Sequence, residues 1–312
     1  MIEGLVLGGT NNQFEVECPD NLVRICGIKG KILKESQGYY NPLAPGDRVS
    51  IVPDENDAHQ GQIHSLIPRR NHFVRFNQKG KSPQMLAANL DLIVIVTTPA
   101  EPPFRPRFVD RLLVQAEAEH IEPLILVNKC DLAPDADLAE RLSDWERLGY
   151  SVLQVSAQTG FGLDILESRL KGRLSAFVGQ SGVGKSSILN ALDASLQLRT
   201  GGLCEKYDRG SHTTVKGMLF HLPLSSGGSA DIVDTPGVRR FVIHDIQSQD
   251  LALYFPEMEG LVGQCSWGLS CSHQSEAGCK ILEAVYSGVI LEQRYESWRR
   301  IKEEIETGNW SD

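Results

Sequence analysis

Four short stretches of this 312-residue chain carry residues at spacings that chemistry uses. The first is Gly179-Gln180-Ser181-Gly182-Val183-Gly184-Lys185-Ser186, followed by Ser187, which fits the phosphate-loop pattern in full. An apolar run precedes it and a helical pattern follows. The glycines let backbone N–H groups close around phosphate oxygens, and the helix N-terminus adds partial positive charge. Lys185 is expected to reach the β and γ phosphates and Ser186 to bind Mg²⁺. The second is Asp231-Ile232-Val233-Asp234-Thr235-Pro236-Gly237, a strand that ends in an acid. Asp234 is expected to hold Mg²⁺ through water. The Gly237 N–H can sense a γ-phosphate, because only glycine lets the backbone come so close. Alone this stretch is a common turn; downstream of a phosphate loop it is a metal and phosphate element.

The third stretch reads a base. Asn128-Lys129-Cys130-Asp131 follows the apolar run 124–127. The Asp131 carboxylate can accept from N1–H and the exocyclic amine of guanine. Adenine offers neither donor there, and an unpaired buried polar group costs about 1–3 kcal/mol, more when charged. Asn128 can support the base edge and the neighbouring loop, and the Lys129 stem can cover the ring. Ser156-Ala157, after the next strand, can supply a backbone donor to the guanine oxygen. A helix N-terminal turn also favours Asn and Asp, so the motif gains its meaning from Ser156-Ala157 and the phosphate loop in the same chain.

The fourth is Cys265-x5-Cys271-x-His273-x5-Cys279. Three thiolates and one imidazole make a filled tetrahedral set, which suits structural zinc; soft sulfur disfavours Mg²⁺ and Ca²⁺. The alternative is a group of buried free thiols.

These stretches need elements to hold them. Residues 1–68 read as five short β-rich runs punctuated by Gly, Asn, Pro and Asp, which points to a small closed barrel. From 69 onward, buried apolar strands alternate with helical patterns: strands at 91–98, 123–128, 151–156, 174–179, 215–222 and 230–234, and helices at 107–118, 138–148, 162–170 and 185–192. That alternation predicts a mainly parallel sheet covered on both faces. After 241 come the Cys/His cluster and helical segments near 281–285 and 291–305.

Composition bounds the partners. The chain has 31 Lys and Arg against 40 Asp and Glu, a net charge of −9. A generic polybasic nucleic-acid binder is therefore disfavoured. Local basic groups remain: Lys29, Lys31 and Lys34 near Tyr39 and Tyr40, and the acid-free run with Arg69, Arg70, Arg75, Lys79 and Lys81. Such groups can follow phosphates while aromatics stack on bases, or form only a solvated face. The longest branched apolar run, 92–96, is too short to span a bilayer. No secretory leader is expected. Seven cysteines, an odd and scattered set, argue for the cytoplasm rather than a disulfide scaffold.

The order of the motifs is unusual. Base reading (128–131, 156–157) precedes the phosphate loop (179–186) and the DTPG stretch (234–237), the reverse of ordinary P-loop GTPases. With Gly210-Ser211-His212-Thr213-Thr214, Tyr254-Phe255-Pro256-Glu257 and the terminal Cys/His cluster, the chain resembles, over essentially its whole length, the circularly permuted, ribosome small-subunit-dependent GTPases of the RsgA (YjeQ) family. The resemblance implies a multidomain chain: an OB-type β-barrel over 1–68, a circularly permuted α/β GTPase domain over 69–240 and a mainly helical zinc domain over 241–312. It implies one structural Zn²⁺, and Mg²⁺ with GTP. It implies a checkpoint and release role in late maturation of the small ribosomal subunit, with rRNA contact and subunit-stimulated hydrolysis. A cytoplasmic monomer, exchanging GTP and GDP away from membranes, is expected. The competing reading is a regulatory G-domain with a protein partner and no RNA contact.

The residue after the DTPG glycine is Val238, which cannot orient water as a Gln there would. His212 is the substitute, and the resemblance points the same way; the bland alternative is an exposed loop histidine. Thr213 or Thr214 should complete the Mg²⁺ shell, with Thr214 favoured. Where the family usually carries Arg after the glycine of this loop, this chain has Ser211.

Overall fold

A computed structural model describes residues 1–10, 12–28, 38–77, 82–133, 136–198, 217–235 and 241–310. Five strands open the chain: β1 (Ile2–Thr10), β2 (Gln13–Glu17), β3 (Val23–Ile28), β4 (Arg48–Pro53) and β5 (Gln60–Leu66). They close into a barrel in the order β1-β2-β3-β5-β4, with β4 paired back on β1. Alternation explains the closure. In β2 and β4, every second residue (Phe14, Val16; Val49, Ile51) points inward to a core shared with Val6, Cys26, Leu43 and Ile63.

A hairpin follows that the sequence pattern did not reveal: β6 (His72–Asn77) and β7 (Ser82–Ala88), antiparallel. Its β6 run alternates only loosely, and its buried residues are divided: Phe73 and Ala87 pack into the main core, while Val74 and Met85 cluster with Ala44.

The remaining strands are β8 (Leu92–Thr97), β9 (Glu122–Val127), β10 (Ser151–Gln154), β11 (Leu174–Gly179), β12 (Met218–Pro223) and β13 (Ser229–Asp234). They form one sheet ordered β10-β9-β8-β11-β13-β12, parallel except for the edge strand β12. Helices α1 (Pro106–Ala118), α2 (Ala136–Arg147), α3 (Leu163–Leu170) and α4 (Lys185–Leu192) cover it. All six residues of β8 are buried. Ile93 and Ile95 face one core while Leu92, Val94 and Val96 face the other, as a strand between two helical layers must.

The C-terminal region holds a single-turn α5 (Pro256–Glu259), α6 (Lys280–Tyr286) and α7 (Glu292–Thr307). Its apolar side chains, Phe241, Phe255, Ile281, Trp298 and Ile301 among them, join the same core as α1 and α2. A buried ionic network lies in that contact. Asp110 of α1 pairs with Arg141 of α2 and with Arg294 of α7, and Arg294 pairs with Glu257 of α5. Among the described residues, no helix is long and apolar enough to cross a membrane.

Candidate functional site

The site lies at the C-terminal edge of the parallel strands, where open α/β sheets bind ligands. β11 ends at Gly179 and runs into the phosphate loop, and α4 begins at Lys185. Two glycines are demanded by contact. A Cβ at Gly179 would sit 2.5 Å from the Val96 carbonyl oxygen. Gly184 has φ +91°, and a Cβ there would meet Asn128 Nδ2 at 2.3 Å.

Asn128 joins three motifs. It follows β9 directly, donates from Nδ2 to the Val183 carbonyl at 2.8 Å, and accepts at Oδ1 from the Ala157 N–H at 3.2 Å. It is buried. The base-reading turn, the phosphate loop and the Ser156-Ala157 turn are thus fixed to one another by a single amide. The Ala157 N–H, expected to face the guanine oxygen, is engaged by Asn128 in this structure. Lys129 takes φ +61° and sends its ammonium to the Glu101 carbonyl oxygen. Asp131 is exposed, its carboxylate open to solvent at the site.

Lys185 and Asp234 lie near enough for each charge to act on the other. Lys185 Nζ donates to the carbonyls of Gly179 at 2.9 Å and Gln180 at 3.1 Å. Burial pushes the Lys185 ammonium down to about 8, against the attraction of Asp234. Burial likewise raises Asp234 to about 6, against the attraction of Lys185. Desolvation therefore outweighs their mutual attraction, and a bound anion and cation would reverse both shifts. Thr235 Oγ1 donates to the Phe177 carbonyl at 2.6 Å and fastens the end of β13 to β11. His212, Thr213, Thr214, Gly237 and Val238 lie outside the described residues.

The second site is the thiol cluster. The ligand atoms of Cys265, Cys271, His273 and Cys279 all lie within 4.8 Å of one another, and all four residues are buried. Cys265 Sγ and Cys279 Sγ are each 3.5 Å from His273 Nδ1, and 3.9 Å from each other. A tetrahedral ion with bonds of about 2.3 Å to sulfur and about 2.05 Å to nitrogen requires separations near 3.6 Å and 3.8 Å. The donors fit such an ion. Backbone N–H groups also point at sulfur: Lys280 to Cys265 at 3.3 Å and Leu282 to Cys279 at 3.5 Å. Burial pushes the Cys271 thiol up to about 12 and raises Cys279, so a cation must displace their protons to bind. The Tyr295 hydroxyl donates to the His273 carbonyl at 2.8 Å, and the Trp298 ring stands edge-on to the imidazole. Helix α7 is thereby packed onto the cluster.

The three arginines of the basic run from 69 all have protein partners. Arg69 is 12% exposed and pairs with the fully buried Asp47 at 2.6 Å, also donating to the Pro42 carbonyl. Arg70 donates to the carbonyls of Asn89 and Leu90 and pairs with Asp91. Arg75 donates to Gln84. Arg69 and Arg70 meet acids and carbonyls distant in sequence, whereas Arg75 links β6 to β7 within the hairpin. Lys29, Lys31, Lys34, Lys79 and Lys81 lie outside the described residues.

Sequence reasoning missed the loop between β8 and α1. Glu101, Pro102 and Arg105 all reach the nucleotide motifs. The available signal was a proline-rich turn placed directly after a fully buried strand, at the edge where sites form.

A parallel sheet with a phosphate loop, a guanine-type reading motif before it and an acid-ended strand after it defines a circularly permuted P-loop GTPase. Comparison with known proteins gives the same class. The RsgA GTPase family model matches residues 66–244. The small ribosomal subunit biogenesis GTPase RsgA of Porphyromonas gingivalis is 38% identical over 97% of both chains. That of Chlorobaculum parvum is 37% identical over 98% of both. The crystal structure of YjeQ from Thermotoga maritima superposes with a TM-score of 0.74 at 32% identity, covering 97% of this chain and 98% of that one. YloQ, a circularly permuted GTPase, superposes with a TM-score of 0.69 at 26% identity, covering 99% of this chain and 96% of that one. The chain belongs to the RsgA GTPase family, whose reaction is the hydrolysis of GTP.

Proposed function

We propose that this chain couples GTP hydrolysis to late maturation of the small ribosomal subunit, acting as a checkpoint and release factor that contacts rRNA. The observation that carries the nucleotide half is the Asn128 bridge, which assembles the base-reading and phosphate-binding motifs into one pocket. The ribosomal half rests on the relatives, which are named for small-subunit biogenesis.

In this reading Gly179 to Ser187 cradle the phosphates, Asp131 selects guanine, and Asn128, Lys129, Ser156 and Ala157 frame the base. Ser186, Thr214 and Asp234 would hold Mg²⁺, which neutralises phosphate charge when bound. Gly237 senses the γ-phosphate. His212 orients the attacking water in place of the Gln that Val238 replaces, an effect worth about 10²–10⁴-fold. The Cys₃His cluster holds one structural zinc ion, because all four donor positions are filled by protein. In this reading residues 1–68 form the barrel unit, 69–240 the nucleotide unit and 241–312 the zinc unit. The protein acts as a cytoplasmic monomer.

The test is GTP turnover with and without purified small ribosomal subunits, paired with sedimentation in a GTP analogue. Stimulated turnover and co-sedimentation are expected, and His212→Ala should bind GTP yet lose most of the stimulation. Slow turnover indifferent to subunits, with no co-sedimentation, would point instead to a protein partner.

A further inference from the structure

The loop 98–105 touches the nucleotide motifs at three points. The Pro102 ring lies 3.7 Å from where a Cβ of Gly182 would stand. The Glu101 carbonyl accepts from Lys129 Nζ. Arg105 faces Gln180, the second residue of the phosphate loop, whose side chain is buried. With its amide oxygen turned toward Arg105, Gln180 accepts from Nε and Nη1 at 3.2 Å each. The opposite orientation would set an amide NH₂ against guanidinium N–H groups, donor on donor, so the hydrogen-bond network assigns the oxygen to Arg105.

Arg105 is itself held. It caps the start of α1, where its carbonyl accepts from the Phe108 N–H at 3.1 Å and Pro106 fixes the next residue. The loop behind it is closed by Thr98 Oγ1 donating to the Pro102 carbonyl at 3.0 Å. On its other side, the Gln180 carbonyl accepts from Lys185 Nζ. A chain of contacts thus runs from the head of α1, through Gln180, to the lysine that binds phosphate.

We infer that Arg105 is a positioning residue for the phosphate loop, acting through the Gln180 side chain. The inference rests on the phosphate-loop reading given above. A phosphate loop binds through backbone N–H groups, and their aim depends on the shape of the loop. A loop held in that shape before the ligand arrives loses less freedom on binding. Because the loop serves phosphates common to GDP and GTP, Arg105 supports both. The guanidinium supplies two parallel N–H groups to one oxygen; a lysine supplies a single point charge and cannot reproduce the fork.

The test measures Kd for GDP and for a non-hydrolysable GTP analogue, alongside steady-state turnover and melting temperature. Arg105→Ala should raise both Kd values together, by about three- to tenfold, with the turnover loss carried by KM rather than kcat. Gln180→Ala should do the same, the double variant should be no worse than either single, and Arg105→Lys should recover only part. A lowered melting temperature with unmoved Kd, or additive losses in the double variant, would overturn the inference. Should the unaltered chain bind no guanine nucleotide in this assay, the phosphate-loop reading fails instead, and the two failures are told apart.

Discussion

Replacing Asp110 by Asn tests what holds the C-terminal region against the nucleotide-binding sheet. Asp110 is fully buried, between the guanidinium groups of Arg141 and Arg294, which are 0% and 1% exposed. Trp145 Nε1 donates to it at 3.2 Å. Glu257, 2% exposed, balances the second cation. Burial by itself would raise the Asp110 carboxyl, but Arg141 and Arg294 outweigh burial and hold it below its ordinary value. The substitution removes the one acid that pairs with both buried cations: Arg141 loses its ion pair and keeps only the charge of Asp144 acting on it, while Arg294 keeps Glu257. Removing one partner of a buried pair costs about 3–5 kcal/mol. A loss of about 4 kcal/mol moves the urea midpoint by roughly 1–1.5 M at the slope of a chain this size. Glu296 on α7 is the comparator. It pairs with Arg299 and Arg300, both 54% exposed, and Glu296→Gln should cost under about 0.5 kcal/mol. The assay is urea unfolding followed by tryptophan fluorescence. A combined Asp110→Leu and Arg141→Met variant restores charge balance, since Arg294 keeps Glu257, and should recover most of the loss. Equal effects of Asp110→Asn and Glu296→Gln would refute the argument.

Elemental analysis should give about one zinc per chain, and a strong chelator or Cys271→Ser should free α7 from the cluster, seen as a change in the near-ultraviolet signal of Trp298. A fully folded, metal-free protein would exclude the assignment. His221 on β12 bridges Asp231 on β13 at 2.7 Å and Glu17 on the barrel at 3.0 Å. Burial works against the charged ring, but Asp231 and Glu17 outweigh it and raise the His221 pKa above its ordinary value. The bridge is therefore fully present below pH about 6.5 and lost as pH rises through the raised folded value. The ring is 44% exposed, so the effect stays under about 1 kcal/mol. Hydrogen exchange over 13–17, corrected for intrinsic rate, should show extra opening at pH 8.5 relative to pH 6, and His221→Gln should abolish that difference. A pH response that survives the substitution would assign it to another group.

Periodicity made most elements legible. Residues Leu174–Gly179 and Lys185–Leu192 are strand and helix at the expected bounds, because a buried parallel strand and the helix after a phosphate loop both follow local rules. The Cys₃His set was equally visible, since its ligands fall within fifteen consecutive residues. What stayed hidden depends on partners far along the chain. β6 and β7 lend Phe73, Leu86 and Ala87 to a core built mainly by α1 and the sheet and place Val74 and Met85 in a separate cluster, so neither reads as a half-buried strand on its own. That Arg69 pairs with Asp47, and Arg70 with Asp91, likewise stays hidden until folding brings the acids to them.

The motifs, their permuted order and the four metal donors were written in local sequence, where residue type and spacing already fix the chemistry. Tertiary structure alone decided which charges are free and which are consumed, that Asn128 is the joint between base and phosphate motifs, and that Arg105 meets Gln180. Those facts are contacts between segments tens of residues apart. Distance in space is set by how apolar faces pack, and no single segment records the face its neighbour presents.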